Sequence, residues 1–320
     1  MAVSMIARPY ADNKPLAMIC ACAAVGISTF GDGIVKWMSG DYPVHQILTI
    51  RCLVGFPLLI YFVHRQATFA TLFAPRWGLS LLRGAVMCSA YLAYTLSIAA
   101  MPMADSVAIY FLMPLIVAVM AGPLLGERVR IHRWIAIITG LIGVVIMTKP
   151  GSGVFEPAAL LALYSAFAYA LAQSLGRRVV ITVPPTAMAI HTNAIYLLSA
   201  LLLAAIFAFI GPEGVTHPSL AFLVRPWTMP SSADFVAMAL LGTIFAFAMV
   251  LFGMAYKYAE SSFVAPFEYT VMFWALLIGF FAFGDVPGVT TLAGGAIVIA
   301  AGLFMIVIDR RLDRTVAAPA

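Results

Sequence analysis

An all-α integral membrane protein of ten transmembrane helices, built as two five-helix repeats of inverted topology, is what this 320-residue sequence predicts. Composition, the recurrence of long apolar runs and the matching layout of the two halves carry the prediction. Hydrophobic residues make up 63% of the chain and charged residues 10%, whereas a soluble domain has roughly a quarter charged residues. Too few polar side chains remain to cover a water-facing globule, so the surrounding solvent is lipid. Alternating ten-residue segments of the barrel type are absent, which leaves helices to satisfy the backbone N–H and C=O groups within each span.

Crossing a hydrocarbon core of roughly 30 Å takes about 20 mostly apolar residues. The first run, 16–35, follows Arg8 and Lys14 and is too long for the apolar region of a secretory signal, which makes it a retained span. The second, 44–63, carries Arg51 within it, and the third covers 78–100. A turn at Met101-Pro102-Met103 leads to the fourth, 103–125, with Asp105 at its helix start. Gly126-Glu127-Arg128-Val129-Arg130 separates the fourth from the fifth, 134–148. The sixth, seventh and eighth spans are 158–175, 186–210 and 235–256. The ninth, 263–283, is cut from the tenth, 289–308, by Gly284-Asp285-Val286-Pro287-Gly288.

Charge sets the orientation. With the N-terminus inside, fourteen Lys and Arg fall in the inner set, Arg83 among them, against Lys36, Lys149 and Arg225 outside. Such a bias places both termini in the cytoplasm and the 211–234 connection outside. The net charge of +5 therefore reflects topology and not nucleic-acid binding, because the basic residues stand in ones, twos and threes between apolar segments. Cys20, Cys22, Cys52 and Cys88 all lie in apolar stretches and read as packing residues, not as disulfides or metal ligands.

Displacing the first half by 158 positions lays Gly126-Glu127 on Gly284-Asp285 and the fourth and fifth spans on the ninth and tenth. Residues 16–148 form one repeat and 155–308 the other, with 1–15 and 309–320 as cytoplasmic tails. Five spans per repeat is an odd number, so the second copy enters from the opposite side, an architecture that puts a site between the halves.

The stretch from Ala104 to Gly143, with Pro114 and the Gly126-Glu127-Arg128 turn, resembles the ten-helix EamA branch of the drug/metabolite transporter superfamily. So do Val264-Ala265-Pro266-Phe267-Glu268-Tyr269-Thr270 through Phe283-Gly284-Asp285-Val286-Pro287, and Arg51 fits the pattern of the branch. The second half has Met272 where a counterpart of Pro114 is expected. The resemblance covers nearly the whole chain and implies a secondary transporter of metabolites, usually an exporter, without an ATP-driven domain. Bacterial aromatic amino-acid exporters are the nearest likeness, and members moving riboflavin, nucleobases or S-adenosylmethionine have similar ninth spans.

Signatures of other chemistry are missing. There is no G-x-x-x-x-G-K-[ST] phosphate loop, no G-x-S-x-G or H-E-x-x-H, and the five histidines form no ligand cluster. No cofactor, metal or catalytic residue is expected, nor an ATPase subunit or nucleic acid; the partners are the lipid bilayer and a small-molecule substrate.

Polar side chains are costly in lipid and turn toward a bundle interior or a wet cavity. Ser165, Tyr169 and Gln173 recur every four residues on the sixth span. The third span offers Tyr91 and Tyr94, the seventh His191 and Tyr196, the eighth Phe252 and Tyr256, and the ninth Glu268, Tyr269, Phe273 and Trp274. Together they make a candidate aromatic cavity with scattered hydrogen-bonding groups. Each has a blander alternative: Ser and Thr in membrane helices commonly bond to backbone, and Trp37, Trp77, Trp134 and Trp227 read as interfacial anchors. Arg51 reads equally as a structural charge, and Asp32, near the outer end of its span, as interfacial.

The expected function is export of aromatic or apolar amino acids across the bacterial inner membrane by alternating access. The alternatives are uptake or exchange of another flat metabolite such as riboflavin, a nucleobase or S-adenosylmethionine, and, as a rival class, a membrane-embedded enzyme.

Overall fold

The computed structural model describes residues 13–66, 69–125, 131–148, 156–180, 182–209, 214–259, 264 and 267–317. All regular structure among them is helical: α1 (Lys14–Met38), α2 (Val44–Gln66), a 3-10 turn (Phe69–Phe73), α3 (Trp77–Ala100), α4 (Met103–Tyr110), α5 (Met113–Leu125), α6 (Ile131–Thr148), α7 (Ala158–Val179), α8 (Pro185–Phe209), α9 (Pro218–Val224), α10 (Ser232–Tyr258), α11 (Thr270–Phe283) and α12 (Val289–Ala317). The Gly126–Arg130 turn and Pro266, both singled out in the sequence, lie outside the described residues.

Eight of these helices, α1, α2, α3, α6, α7, α8, α10 and α12, are long and apolar enough to cross a membrane. The expected fourth span is interrupted, and of the ninth the part described as a continuous helix is Thr270–Phe283. In the fourth the reason is Pro114, the second residue of α5. Proline has no N–H to give the carbonyl four residues earlier, so the helix is interrupted after Tyr110 and resumes at Met113. The ninth is described as a regular helix only from Thr270.

Helix ends follow local chemistry. Asn13 caps α1 by accepting from the Leu16 amide at 3.1 Å, and Ser231 caps α10 by accepting from the Asp234 amide at 3.2 Å. Gly284 ends α11 with φ of 68°, a conformation that glycine adopts without a Cβ clash. It lets the Asp285 amide reach back to the Gly279 carbonyl at 2.9 Å, closing the helix and folding the Asp285 side chain over its end.

Neighbouring helices pair as α3 with α7, α1 with α10, α2 with α8, and α6 with α12. Further contacts join α2 with α10, α3 with α8, α5 with α7, and α1 with α11. Glycines set the closest approaches, as small residues do where lipid gives no hydrophobic drive between helices. Gly143 and Gly294 face one another across α6 and α12. On α10, a Cβ at Gly242 would lie 2.5 Å from the Arg51 carbonyl oxygen and 3.0 Å from the Gly55 nitrogen of α2.

The two ends of the bundle differ. On the far face, where α1 ends, polar side chains stitch the helices together. Lys36 Nζ pairs with Asp285 Oδ2 at 3.0 Å and donates to the Met101 carbonyl at 2.7 Å, 5.1 Å from the Phe283 ring centre. Tyr42 donates to Asp234 at 2.6 Å, Gln46 to the Thr228 carbonyl at 2.6 Å, and Ser219 to the Leu96 carbonyl at 2.6 Å. On the near face, where α1 begins, Thr182 donates to the Pro75 carbonyl at 2.6 Å and Arg76 to the Arg178 carbonyl at 2.9 Å.

Two outcomes follow from this geometry. Gly242→Ala forces a methyl against backbone atoms of α2, so the helices must separate; overpacking of this kind costs about 1–3 kcal/mol, and the variant should melt below the parent in detergent. Equal melting would mean that α2 and α10 part freely there. Lys36→Met and Asp285→Asn should each lower the melting temperature, and the double variant little further, because both remove one tie. Additive losses would show that the two side chains act independently.

Candidate functional site

Arg51 organises the interior. It stands on α2 at 9% exposure, facing the helices that α2 packs against. Its guanidinium carbon lies 4.6 Å from the ring centre of Tyr91 on α3, 4.7 Å from Phe245 on α10 and 5.9 Å from Tyr196 on α8. Phe245 is one turn beyond Gly242, so the glycine that lets α10 approach α2 also brings this ring over the charge. Tyr91 and Tyr196 stack with centres 5.4 Å apart, and the Tyr196 hydroxyl donates to the Met87 carbonyl at 3.1 Å. Cation–π contacts of this kind contribute about 0.5–2 kcal/mol each, the larger values when desolvated. No carboxylate among the described residues lies within ion-pair distance of Arg51.

The second charge is Asp32 on α1, whose carboxylate feels the field of Arg51. Tyr94, three residues from Tyr91 and so on the same face of α3, donates its hydroxyl to Asp32 Oδ2 at 3.3 Å. From Tyr94 a row of rings continues: Tyr110 at 5.4 Å, then Tyr169 on α7 a further 5.5 Å away, edge-on. Gln173, one turn along α7, donates to the Tyr169 hydroxyl at 3.2 Å. Tyr110 is the last residue of α4, placed there by the interruption before Pro114. Asp32, Tyr91, Tyr94, Tyr110, Tyr169 and Gln173 all lie deep among the helices, yet each keeps partial accessibility. That combination makes them the lining of a candidate cleft.

Toward the near face the cleft meets Arg83 and Glu268, whose opposite charges both act on Tyr169. Arg83, counted with the inner cations in the sequence, stands in the second turn of α3, where it donates to Thr192 at 3.2 Å and lies against Gly176. Glu268 is half-buried just before α11 and also acts on Tyr269.

Of the residues expected to line a cavity, Tyr91, Tyr94, Tyr169, Gln173 and Tyr196 gather here, and Glu268 stands beside them. Others are turned elsewhere. The Ser165 hydroxyl is buried and donates to the Ala90 carbonyl at 2.8 Å, tying α7 to α3. Positions spaced by four advance about 40° around a helix of 3.6 residues per turn, so a stripe from Ser165 to Gln173 swings through about 80° and its two ends face different neighbours. In the neutral His191 ring, Nε2 donates to the Leu72 carbonyl at 3.0 Å and Nδ1 accepts from Ser80 at 2.9 Å, fastening α8 to the Phe69–Phe73 turn and α3. Tyr269 stacks on Phe111 at 4.9 Å and points its hydroxyl at Gly302 of α12. Trp274 fills the α1 crossing, 3.0 Å from where Gly26 would carry a Cβ, and Phe273 is 58% exposed on the lipid side. Phe252 is half-buried on α10 without a described ring contact to the cluster; the Tyr256 side chain lies outside the described residues.

Asp32, Arg83, Tyr110 and Phe245 are the members that sequence reasoning missed. For Asp32 and Tyr110 the signal was present, namely a polar group within an apolar run. Nothing in the local sequence singled out Phe245, whose role depends on what crosses it.

The sequence pattern of the EamA-like transporter family matches residues 15–149 and again 156–308. An S-adenosylmethionine uptake transporter of Rickettsia prowazekii is 22% identical over 284 residues, covering 89% of this chain and 90% of its own. A riboflavin transporter of Vibrio cholerae is 27% identical over 205 residues, 64% of this chain and 62% of that one. A pseudopaline exporter of Pseudomonas aeruginosa is 28% identical over 281 residues, 84% and 88% of the respective chains. One solved crystal structure has the same fold, at a TM-score of 0.60 and 18% identity over 93% of this chain and 98% of its own. A bundle of membrane-length apolar helices with a polar, aromatic interior, matched in both halves by one family pattern, belongs to the EamA-like transporter family.

Proposed function

We propose that the protein is a secondary-active transporter that moves small metabolites by alternating access between two inverted five-helix halves, 16–148 and 155–308. The observation that carries this reading is the cleft itself, because both halves build it. Asp32, Arg51, Tyr91, Tyr94 and Tyr110 come from the first, and Tyr169, Gln173, Tyr196 and Phe245 from the second. A site between repeats, deep in the bundle, is where such transporters hold solute. Helix packing supports the inverted relation: exchanging each span with its counterpart in the other half turns α3–α7 into α10–α1, α2–α10 into α8–α3, and α5–α7 into α11–α1, all of which occur. In this reading the Lys36–Asp285 tie is one of the far-face contacts that opening there would break.

The ring faces of the cleft suit a solute with a flat or apolar portion. Export of aromatic or apolar amino acids is one reading. Uptake or exchange of S-adenosylmethionine or riboflavin is the other, favoured by the names of the relatives and equally served by the tyrosine row. The bias of Lys and Arg supports cytoplasmic termini in the bacterial inner membrane, which makes the far face external. Glu268, beside Tyr169, is assigned either to the solute's cationic group or to proton exchange.

Purified protein in liposomes preloaded with L-phenylalanine, S-adenosylmethionine or riboflavin should accelerate counterflow of the matching labelled solute; flux equal to empty liposomes for all three overturns the reading. Glu268→Gln should abolish pH-dependent accumulation with counterflow retained if the residue carries a proton, and weaken both if it holds a cation. Unchanged transport at every pH makes it structural. Cysteines introduced at Ser231 and Thr315 should label from opposite sides of intact cells, and labelling from one side would reverse the topology.

A further inference from the structure

Asp32 and Arg51 are opposite charges inside one cleft that do not touch. Two charges buried only to neutralise each other gain most in contact, since their attraction falls with separation while the cost of desolvating them remains. Here Arg51 is instead clasped between the faces of Tyr91 and Phe245, and Asp32 is held by the Tyr94 hydroxyl through Oδ2. One of the five guanidinium N–H groups is engaged by the Tyr91 hydroxyl, and the others are of the type that pairs with the two oxygens of a carboxylate. Asp32 keeps Oδ1 for a cation. Between and beyond them run the rings of Tyr94, Tyr110 and Tyr169.

Resting on the transport reading above, we infer that the cleft recognises a zwitterionic α-amino-acid group, with Arg51 taking the carboxylate, Asp32 the ammonium, and the tyrosine row the remainder of the solute. A neutral flavin or nucleobase would leave both charges desolvated and unmatched. The amino-acid group is therefore the shared feature, whether the solute is a free amino acid or carries that group on a larger flat body such as S-adenosylmethionine. The pair also sets the order of contacts in the cleft: the charged end lies between α1 and α2, and the side group extends toward α7.

Binding to the purified full-length protein in detergent tests this without relying on flux. L-Phenylalanine is compared with 3-phenylpropanoate, which lacks the ammonium, and with 2-phenylethylamine, which lacks the carboxylate. S-Adenosylmethionine is compared with its decarboxylated form and with 5′-methylthioadenosine. At least one of the two zwitterions should bind, and removal of either charge should weaken it about tenfold or more, as expected for lost charge-assisted bonds. The penalties should then be specific. In Asp32→Asn the loss on deleting the ammonium disappears while that for the carboxylate persists, and in Arg51→Gln the pattern reverses. Riboflavin binding in preference to both zwitterions, or charge-stripped analogues binding as well as the parents in the native protein, overturns the inference. Riboflavin counterflow in either case would leave the transporter reading standing. Binding with the expected charge penalties but no counterflow of any solute would sink the transporter reading and keep the recognition. The analogue series in the native protein decides the matter even if the Arg51 variant does not fold.

Discussion

A guanidinium on a lipid-embedded helix cannot face hydrocarbon, and in this protein that constraint fixes the centre of the bundle. Arg51 must turn inward, and inward it meets rings from three other helices, so α3, α8 and α10 are all referred to one point on α2. The rings offer the charge a polarisable, negatively faced surface without a carboxylate in direct contact among the described residues. That choice leaves Asp32 available: had the acid been in contact with Arg51, the interior would hold a closed ion pair and little else. A cation held by aromatic rings and an acid held by a tyrosine give the bundle a polar, ordered interior.

Backbone chemistry delivers these side chains to the same depth. Gly242 removes the Cβ that would keep α10 off α2, and Phe245 arrives over the guanidinium one turn later. Pro114 interrupts the fourth span, and Tyr110 ends α4 at the point where it can bridge Tyr94 and Tyr169. Gly284 ends α11 with a left-handed residue, and Asp285 is thereby aimed at Lys36. Each device is local, and each acts at a distance through the helix it terminates or brings close. The far face is crossed by several short polar contacts, Lys36, Tyr42, Gln46 and Ser219 among them. In the alternating access proposed above, these are bonds that opening of the far face exchanges for water.

Spacing along a helix does not by itself fix which neighbour a polar side chain meets. Tyr91 and Tyr94, three apart, do share a face, but a series at intervals of four rotates steadily, and Ser165 falls on the α3 contact instead of beside them. Hydrogen-bonding residues in a membrane helix have two uses, lining a path and fastening helices, and both put the residue on an inward side. His191 and Trp274 serve the second use, bonded to Ser80 and Leu72 in one case and filling a glycine notch in the other.

What the sequence determined by itself was the class of solvent and the position of most helices, because these follow from local quantities: the length of apolar runs, the sites of Gly and Pro, and the distribution of charge. It also marked Arg51 and Tyr91 as inward-facing, since the penalty for a polar group in lipid does not depend on the neighbour. The neighbours themselves were a matter for the tertiary structure. Asp32, near the end of an apolar run, was as compatible with the membrane surface as with the interior. Arg83, near the start of its span, was as compatible with the membrane surface as with the interior, and Phe245 was one phenylalanine among 22. Which of them meets Arg51 or Tyr169 depends on where helices cross, and crossings are set by the fit of glycines and side chains on two helices at once, information that no single stretch of chain contains.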